Sequence, residues 1–397
     1  MSNIFIKKNQ SGSIVEFVQL QSKTIDMLRF PLAIMVIFIH MNPTVVNLLE
    51  EDVNLISGHG IYNVIGVILS HVLTHIAVPT FYFISGLLFF LNFKEWSWKG
   101  YKKKMYSRIW TLLIPYILWN AVPFALKAFY MLAGVVVKGY PIDGLQAFVA
   151  ENGWHIFYDC NEWGTTRINW FGENLRMTGP YDLPLWFLRD LIVVTILTPI
   201  IYFAVKKLKM FIIVVLFLAY VSRIWTLVPG FHITAFFYFT LGAYFALNEV
   251  NIIQFTNKYS IFFVPTSIVL LFVTTIYDGV YTVIGQNVYP FFICTGVFSA
   301  FYIVSSCIIK YNISPNKFLV SSCFFVYAIH GVEFPYIGSP IAFVQMVLHK
   351  AIPGNTGMED GFCYLVSPFA TAAFCILLFI IARRIFPKVT LCFSGNK

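Results

Sequence analysis

Two side chains in the stretch SKTIDMLRFPLAIMVIFIHMNPT, residues 22–44, are of types that do chemistry within an otherwise apolar run: Arg29 and His40. At about 100° and 1.5 Å per residue, the eleven steps between them return to within roughly 20° of one helix face, ~16 Å further along. If the run crosses a membrane, a guanidinium near the surface and an imidazole near the middle share a face. An ionisable group held in a membrane is costly and marks function by default. The duller alternative is a core histidine hydrogen-bonded to a neighbouring helix. Imidazole titrates near neutral pH and suits a general base; a guanidinium grips phosphate in a bidentate fork. Asp26, three residues before Arg29, is placed to pair with it or to hold it for an anionic ligand. Pro31 disfavours helical geometry at Phe30 and is a natural helix start, which leaves the phase of Arg29 open.

The elements that must position these groups follow from composition. The chain has 397 residues, is 58% hydrophobic and 11% charged, and has a mean hydropathy of +0.75. No soluble domain of this length needs so much apolar surface, so the expected class is an all-α polytopic integral membrane protein in a lipid bilayer. The aromatic share of 18%, with 42 Phe, suits lipid-facing helices and interfacial belts. A net charge of +9 would suggest nucleic acid in a soluble protein. Here positive loops on the cytoplasmic side account for it, and no nucleic-acid partner is expected. The seven cysteines are odd in number and scattered, so they form neither a disulfide framework nor a zinc site. Cys160 and Cys363 alone fall in segments placed outside, the one pair open to bridging.

Apolar runs at about 28–49, 71–93, 109–137, 183–205, 211–228, 232–247, 260–277, 289–309, 318–348 and 362–381 predict ten spans with both termini cytoplasmic. Residues 1–24 read as an N-terminal tail lacking a signal-peptide core. Residues 25–386 form the membrane domain, 138–182 an extracytoplasmic loop and 387–397 a C-terminal tail. The first span ends in Glu50-Glu51-Asp52, and an outside turn falls at Asp278-Gly279. The 94–108 loop carries six Lys or Arg, and 20 of the 27 in the chain fall in segments placed inside. Pro229-Gly230 is read as the turn of a hairpin between the fifth and sixth spans. No repeat of fixed period signals an inverted-repeat transporter.

Ile25-Asp26-x-Leu28-Arg29, followed by Ala33, Val36 and His40, resembles the first transmembrane helix of the membrane acyltransferase 3 family, whose most characteristic feature is the Arg-x10-His spacing. Later segments are similar to that family in order. Val78-Pro79 to Ser85-Gly86 matches an aromatic run ending in Ser-Gly, where small residues let another helix approach closely. Leu185-Trp186-Phe187-Leu188 resembles its Leu-Trp-Phe-Leu element, Phe236 to Gly242 its aromatic-then-glycine helix, and Tyr327-x-x-His330 a late Tyr-x-x-His helix. The family's cytoplasmic loop carries two arginines three apart before Leu-Pro-Tyr. Here Arg108 and Pro115-Tyr116 match, Met105 stands where the other arginine would be, and the adjacent Lys104 is the candidate substitute. A lysine lacks the bidentate grip of arginine.

The resemblance implies an enzyme that moves an acyl group, often acetyl, onto sugars and other acceptors. His40 is the expected base. Arg29, Arg108 and Lys104 are the expected binding groups for acyl-CoA, which is acetyl-CoA by the same resemblance and a co-substrate rather than a bound cofactor. Asp26, Ser85, His330 and Glu333 are supporting candidates, with Glu333 three residues from His330 and able to partner it on one helix face.

His71 and His75, at i and i+4, have a metal-binding spacing but no nearby acid, and no metal is expected. Arg189, Asp190 and Arg223 inside spans are costly unless paired. The aromatic loop around Trp154, Trp163, Trp170 and Phe171 suits a sugar ring or, more simply, an interfacial belt. No dinucleotide fingerprint, P-loop or Gly-x-Ser-x-Gly elbow is present.

The expected function is an O-acyltransferase of the bacterial cytoplasmic membrane that modifies a hydroxyl of a cell-envelope glycan or lipid-linked sugar. The alternative from another class is a transporter or exporter of such a sugar.

Overall fold

One 30-residue helix, α1 (Gln10–Ile39), runs unbroken through Pro31, and His40 follows in its closing turn, its N–H 3.1 Å from the carbonyl of Ile37. The start of a helix expected at Pro31 is therefore not found. The residues ahead of the proline are already anchored: Gln21 Oε1 accepts from the Ile252 N–H at 3.2 Å, and Asn251 donates to the Phe17 carbonyl at 3.4 Å. In an apolar medium the backbone has no alternative to the helix, which makes an internal proline tolerable. Of the residues 1–24 expected as a tail, those from Gln10 onward are helical.

This computed structural model describes residues 10–41, 58–93, 95–168, 174–225, 228–277, 283–335, 337–352 and 357–395. The acidic Glu50-Glu51-Asp52 segment, the Asp278-Gly279 turn and the side chains of Trp163, Trp170 and Phe171 lie outside the described residues.

The second run is α2 (Gly58–Gly66) and α3 (Ala77–Phe90), joined by a π-helical turn at Val67–Val72 and a 3-10 turn at Leu73–Ile76. Hydroxyls compete with the helix for carbonyls there. Ser70 donates to the Phe38 carbonyl at 2.5 Å, and Thr74 donates to that of Leu69.

The stretch 94–108 was expected to be a loop but is mostly helix. Ser97 caps α4 (Trp98–Arg108) by accepting from Gly100 N–H at 3.1 Å, and a π turn at Ile109–Leu113 continues it into α5 (Ile114–Lys138). The wide turn lies just ahead of Pro115, which lacks the N–H for a regular backbone hydrogen bond.

Residues 138–182 hold α6 (Asp143–Asn152) and the antiparallel pair β1 (Asn161–Ile168) and β2 (Asn174–Gly179), in register Glu162 to Thr178 with a bulge between Trp163 and Arg167. This hairpin is the departure from an all-α fold. The chain continues as α7 (Trp186–Ile196), α8 (Thr198–Leu208), α9 (Met210–Ser222), α10 (Ile233–Leu247), α11 (Ile252–Lys258) and α12 (Ser260–Ile276). Then come α13 (Val283–Tyr311), α14 (Lys317–Ile329), α15 (Pro340–Ala351), α16 (Gly357–Ile385) and α17 (Pro387–Ser394). The expected turn at Pro229-Gly230 joins α9 and α10, with Gly230 at φ 85°, a left-handed conformation open to glycine.

By length and composition four helical runs are able to cross a membrane: Tyr62–Phe90, Trp98–Lys138, Val283–Tyr311 and Asp360–Ile385. The α7–α8 pair, bent by 64°, and the α11–α12 pair, bent by 76°, raise the number to six, and α9, α10 and α14 are shorter apolar helices.

The tightest contact joins two of the sequence motifs. Gly86 on α3 lies against the Phe239 carbonyl, and Gly242 on α10 lies against the Phe83 carbonyl, so a Cβ at either position would overlap backbone. Fully buried Phe83, Phe239 and Tyr238 flank this crossing. Without a hydrophobic force to join helices in lipid, such close approach supplies the packing. Gly242→Ala is expected to destabilise the protein by about 1–3 kcal/mol, the cost of overpacking. The check is a lower thermal midpoint in detergent, with Ala243→Gly as the neighbouring control.

Candidate active site

Arg29 faces a cavity of about 460 Å³ whose lining also includes Lys104, Ser107, Arg108, Ser85, Cys323 and Tyr327. Its cations come from two separate helices: α1 gives Arg29, and α4, one turn apart, gives Lys104 and Arg108. Met105 is not among the lining residues, so Lys104 brings the second α4 cation to the cavity; Lys102 and Lys103 point to solvent. Lys104 Nζ donates to the Leu88 carbonyl at 3.4 Å, and the Arg108 guanidinium lies 5.9 Å above the Phe89 ring. Arg29 is paired with Asp26 at 3.3 Å, as the spacing suggested, and Cys323 donates to the Arg29 carbonyl at 3.2 Å. No acidic residue is part of the described lining. Three cations with one carboxylate nearby favour an anion of multiple charge.

His40 lines a different cavity, of about 150 Å³, with His75, His232, Trp186, Trp225, Tyr289 and Arg223 among its walls. Met177 from β2 brings the 138–182 segment to its lining, with Pro184 just after that segment. Arg189 holds that segment down, donating to the carbonyls of Tyr158 at 2.6 Å and Thr178 at 3.1 Å, while its Nε meets Asp190 at 2.9 Å. Asp190 also accepts from Gly230 N–H at 3.1 Å, so these charges are paired inside the fold. Arg223 reaches Asn287 at 2.7 Å and Gln286.

One side chain touches both cavities. Tyr327 on α14 lines each of them, and its hydroxyl donates to the Pro184 carbonyl. The sequence showed it only as part of a motif; a buried aromatic in an apolar helix carries no signal of standing between two cavities.

His330 is fully buried with its ring centroid 5.3 Å from that of His40, and the backbone of Tyr327 and Val326 lies within its hydrogen-bonding reach. The expected pairing with Glu333 is not found. Helix α14 ends at Ile329, so the i, i+3 relation lapses, and Glu333 is exposed in the following loop. Its charge acts instead on Tyr181, whose hydroxyl is pushed up to about 12, by burial first and by Glu333 second.

His71 and His75 are separated by the change from π to 3-10 geometry. His71 is buried, while His75 lines the His40 cavity with Nε2 3.0 Å from the Ser70 carbonyl. Among the described residues no group of three or more His, Cys, Asp or Glu is arranged to hold a metal. Cys160 and Cys363, the pair left open to bridging, form no disulfide; burial pushes the Cys160 thiol up to about 11, and Cys363 lies within α16.

Sequence reading also missed Asp182. Its carboxylate is buried with neither oxygen partnered among the described residues, and burial raises its affinity for a proton.

The comparison with known families is decided by coverage. A profile described as an acyltransferase domain, Acyl_transf_3, matches residues 22–382. The chain belongs to the acyltransferase 3 family. It is therefore an acyltransferase of the membrane type, a multi-pass protein with four to six helical runs apolar enough to cross a membrane. No curated protein and no solved structure matches it. The matched region of this acyltransferase contains Arg29, His40, the α4 cations and His330; α17 lies beyond it.

Proposed function

We propose that this acyltransferase takes an acyl group, acetyl being the expected one, from acyl-CoA bound in the cationic cavity and transfers it to a hydroxyl of a cell-envelope glycan or lipid-linked sugar reaching the His40 cavity. One observation carries this reading: α1 brings Arg29 to one cavity and His40 to the other, with Tyr327 lining both. The offset along α1 of ~16 Å is comparable to the reach of a pantetheine arm. Coenzyme A phosphates would meet Arg29, Arg108 and Lys104, with Asp26 orienting the first and Ser85 beside them. The thioester carbonyl would then lie past Tyr327.

His40 takes the proton of the acceptor hydroxyl as its oxygen attacks the thioester carbonyl. The C–S bond breaks, and the proton passes to the leaving thiolate, giving an ester and free coenzyme A. His330, packed on His40, is placed to steady the imidazole or to meet the acceptor. Desolvation around both rings strengthens any interaction that forms as charge develops.

The proposed topology is ten crossings with both termini and α4 on the cytoplasmic face of a bacterial inner membrane. The four long runs, the two bent pairs, the three shorter apolar helices and α1 together supply that number. Cysteines placed at Lys99 and Gly164, in a background without reactive native thiols, are expected to differ. An impermeant thiol reagent applied to intact cells should label only the Gly164 position, and the opposite pattern contradicts the assignment of the donor side.

A further inference from the structure

The last helix of the chain lies outside the matched family region yet forms part of the cationic cavity. Family coverage stops at residue 382, and α17 (Pro387–Ser394) follows a break at Phe386, where Pro387 prevents α16 from continuing. Rather than trailing away as the expected tail, α17 folds back against α5. Trp119 Nε1 donates to the Phe393 carbonyl at 2.9 Å, and the two rings meet edge to face at 4.9 Å. Thr390 and Ser394 are buried, while Val389 and Leu391 on the other side remain exposed.

Ser394 and Gly395 line the cavity together with Arg29, Lys104 and Arg108. Gly395 has φ 63°, and a Cβ there would stand 2.7 Å from the Thr111 carbonyl in the π turn. That turn directly follows Arg108, so the end of α17 rests on the turn behind the helix that carries two of the three cations.

We propose that α17, through Phe393–Gly395, is a positioning wall of the acyl-CoA site, closing the cationic cavity on the side facing α4 and α5. This rests on the donor reading of that cavity given above. The wall does two things. It keeps water from the guanidinium and ammonium groups, which strengthens their hold on phosphate. It also fixes the π turn behind Arg108, whose guanidinium must keep its direction to form a bidentate contact. Trp119 and the Gly395 backbone are positioning groups; neither is asked to touch the reacting atoms.

Cys323 gives a readout independent of the donor, since it lines the same cavity and is buried. Two full-length variants suffice. Gly395→Val forces the chain end off the π turn, and Trp119→Phe keeps the ring but removes the hydrogen bond to Phe393. Alkylation of Cys323 by N-ethylmaleimide is followed by peptide mass spectrometry on detergent-purified protein, alongside acyl-CoA affinity and the thermal midpoint.

Both variants are expected to alkylate Cys323 faster than wild type and to bind acyl-CoA about tenfold more weakly, the effect of losing one charge-assisted contact, with the midpoint little changed. In the wild type, coenzyme A should slow the alkylation. Wild-type alkylation rates in both variants overturn the wall. Faster alkylation with unchanged acyl-CoA affinity overturns its part in donor binding. If the wild type itself binds no acyl-CoA, the donor reading falls, and the Cys323 rates still decide whether α17 closes the cavity.

Discussion

His40→Ala is expected to reduce acyl transfer by about 10²–10⁴-fold, the contribution of a positioned general base, while leaving insertion and folding intact. His40 sits at the end of α1, against His330 and at the wall of a cavity. Alanine there leaves the segment apolar and helical. Release of free coenzyme A thiol by purified protein, with the thermal midpoint measured beside it, checks both halves of the statement. Wild-type turnover in the variant would make His40 a packing residue. His330→Ala supplies a comparison: a smaller loss there than at His40 would assign the base to His40 and a supporting role to its neighbour.

The second large effect concerns the donor. Arg29→Lys is expected to weaken acyl-CoA binding by roughly 1–2 kcal/mol, the scale of a charge-assisted hydrogen bond, and Arg29→Gln to weaken it further. A residue that merely anchors a helix end at the headgroups tolerates lysine, because either cation snorkels to the interface. A guanidinium in a bidentate grip does not. Arg29 is only partly paired by Asp26 at 3.3 Å and keeps donors directed into the cationic cavity. Affinity measured on detergent-purified variants decides between the two roles, and equal values for arginine, lysine and glutamine would leave only the anchor. The His40→Ala protein should still bind the donor, which separates binding from chemistry.

Much of this arrangement is legible in the sequence because membrane helices obey simple rules. Apolar runs fix the helices, and the spacing of Arg29 and His40 fixes their relation on α1. The Ser-Gly and aromatic-glycine motifs do meet, at Gly86 and Gly242, as small residues in lipid must to let backbones approach. Arg29, Lys104, Arg108 and Ser85, far apart in sequence, line one cavity together.

Other features are set by tertiary packing and leave little trace in residue order. Pro31 reads as a helix start, but neighbours already hold the segment before it. The positive 94–108 stretch reads as a loop because charge dominates its composition, although Ser97 caps a helix there. Glu333 reads as a partner of His330 only if α14 continues, and it stops at Ile329. The C-terminal residues read as a tail since eight residues after a proline promise no stable helix alone; α17 forms because Trp119 and the π turn give it a surface. Tyr327 between the two cavities and the Asp182 carboxylate, unpartnered among the described residues, are products of assembly and carry no pattern in the chain.

The central claim is that an acyl group passes from the cationic cavity to an acceptor beside His40. It is tested most directly in proteoliposomes loaded with the glycan acceptor, with radiolabelled acetyl-CoA supplied to the face carrying α4. The account predicts that label becomes covalently attached to the glycan, with one free coenzyme A released per ester formed, and that His40→Ala abolishes both. Movement of the sugar across the membrane with no thioester consumed would contradict it and make the protein a carrier.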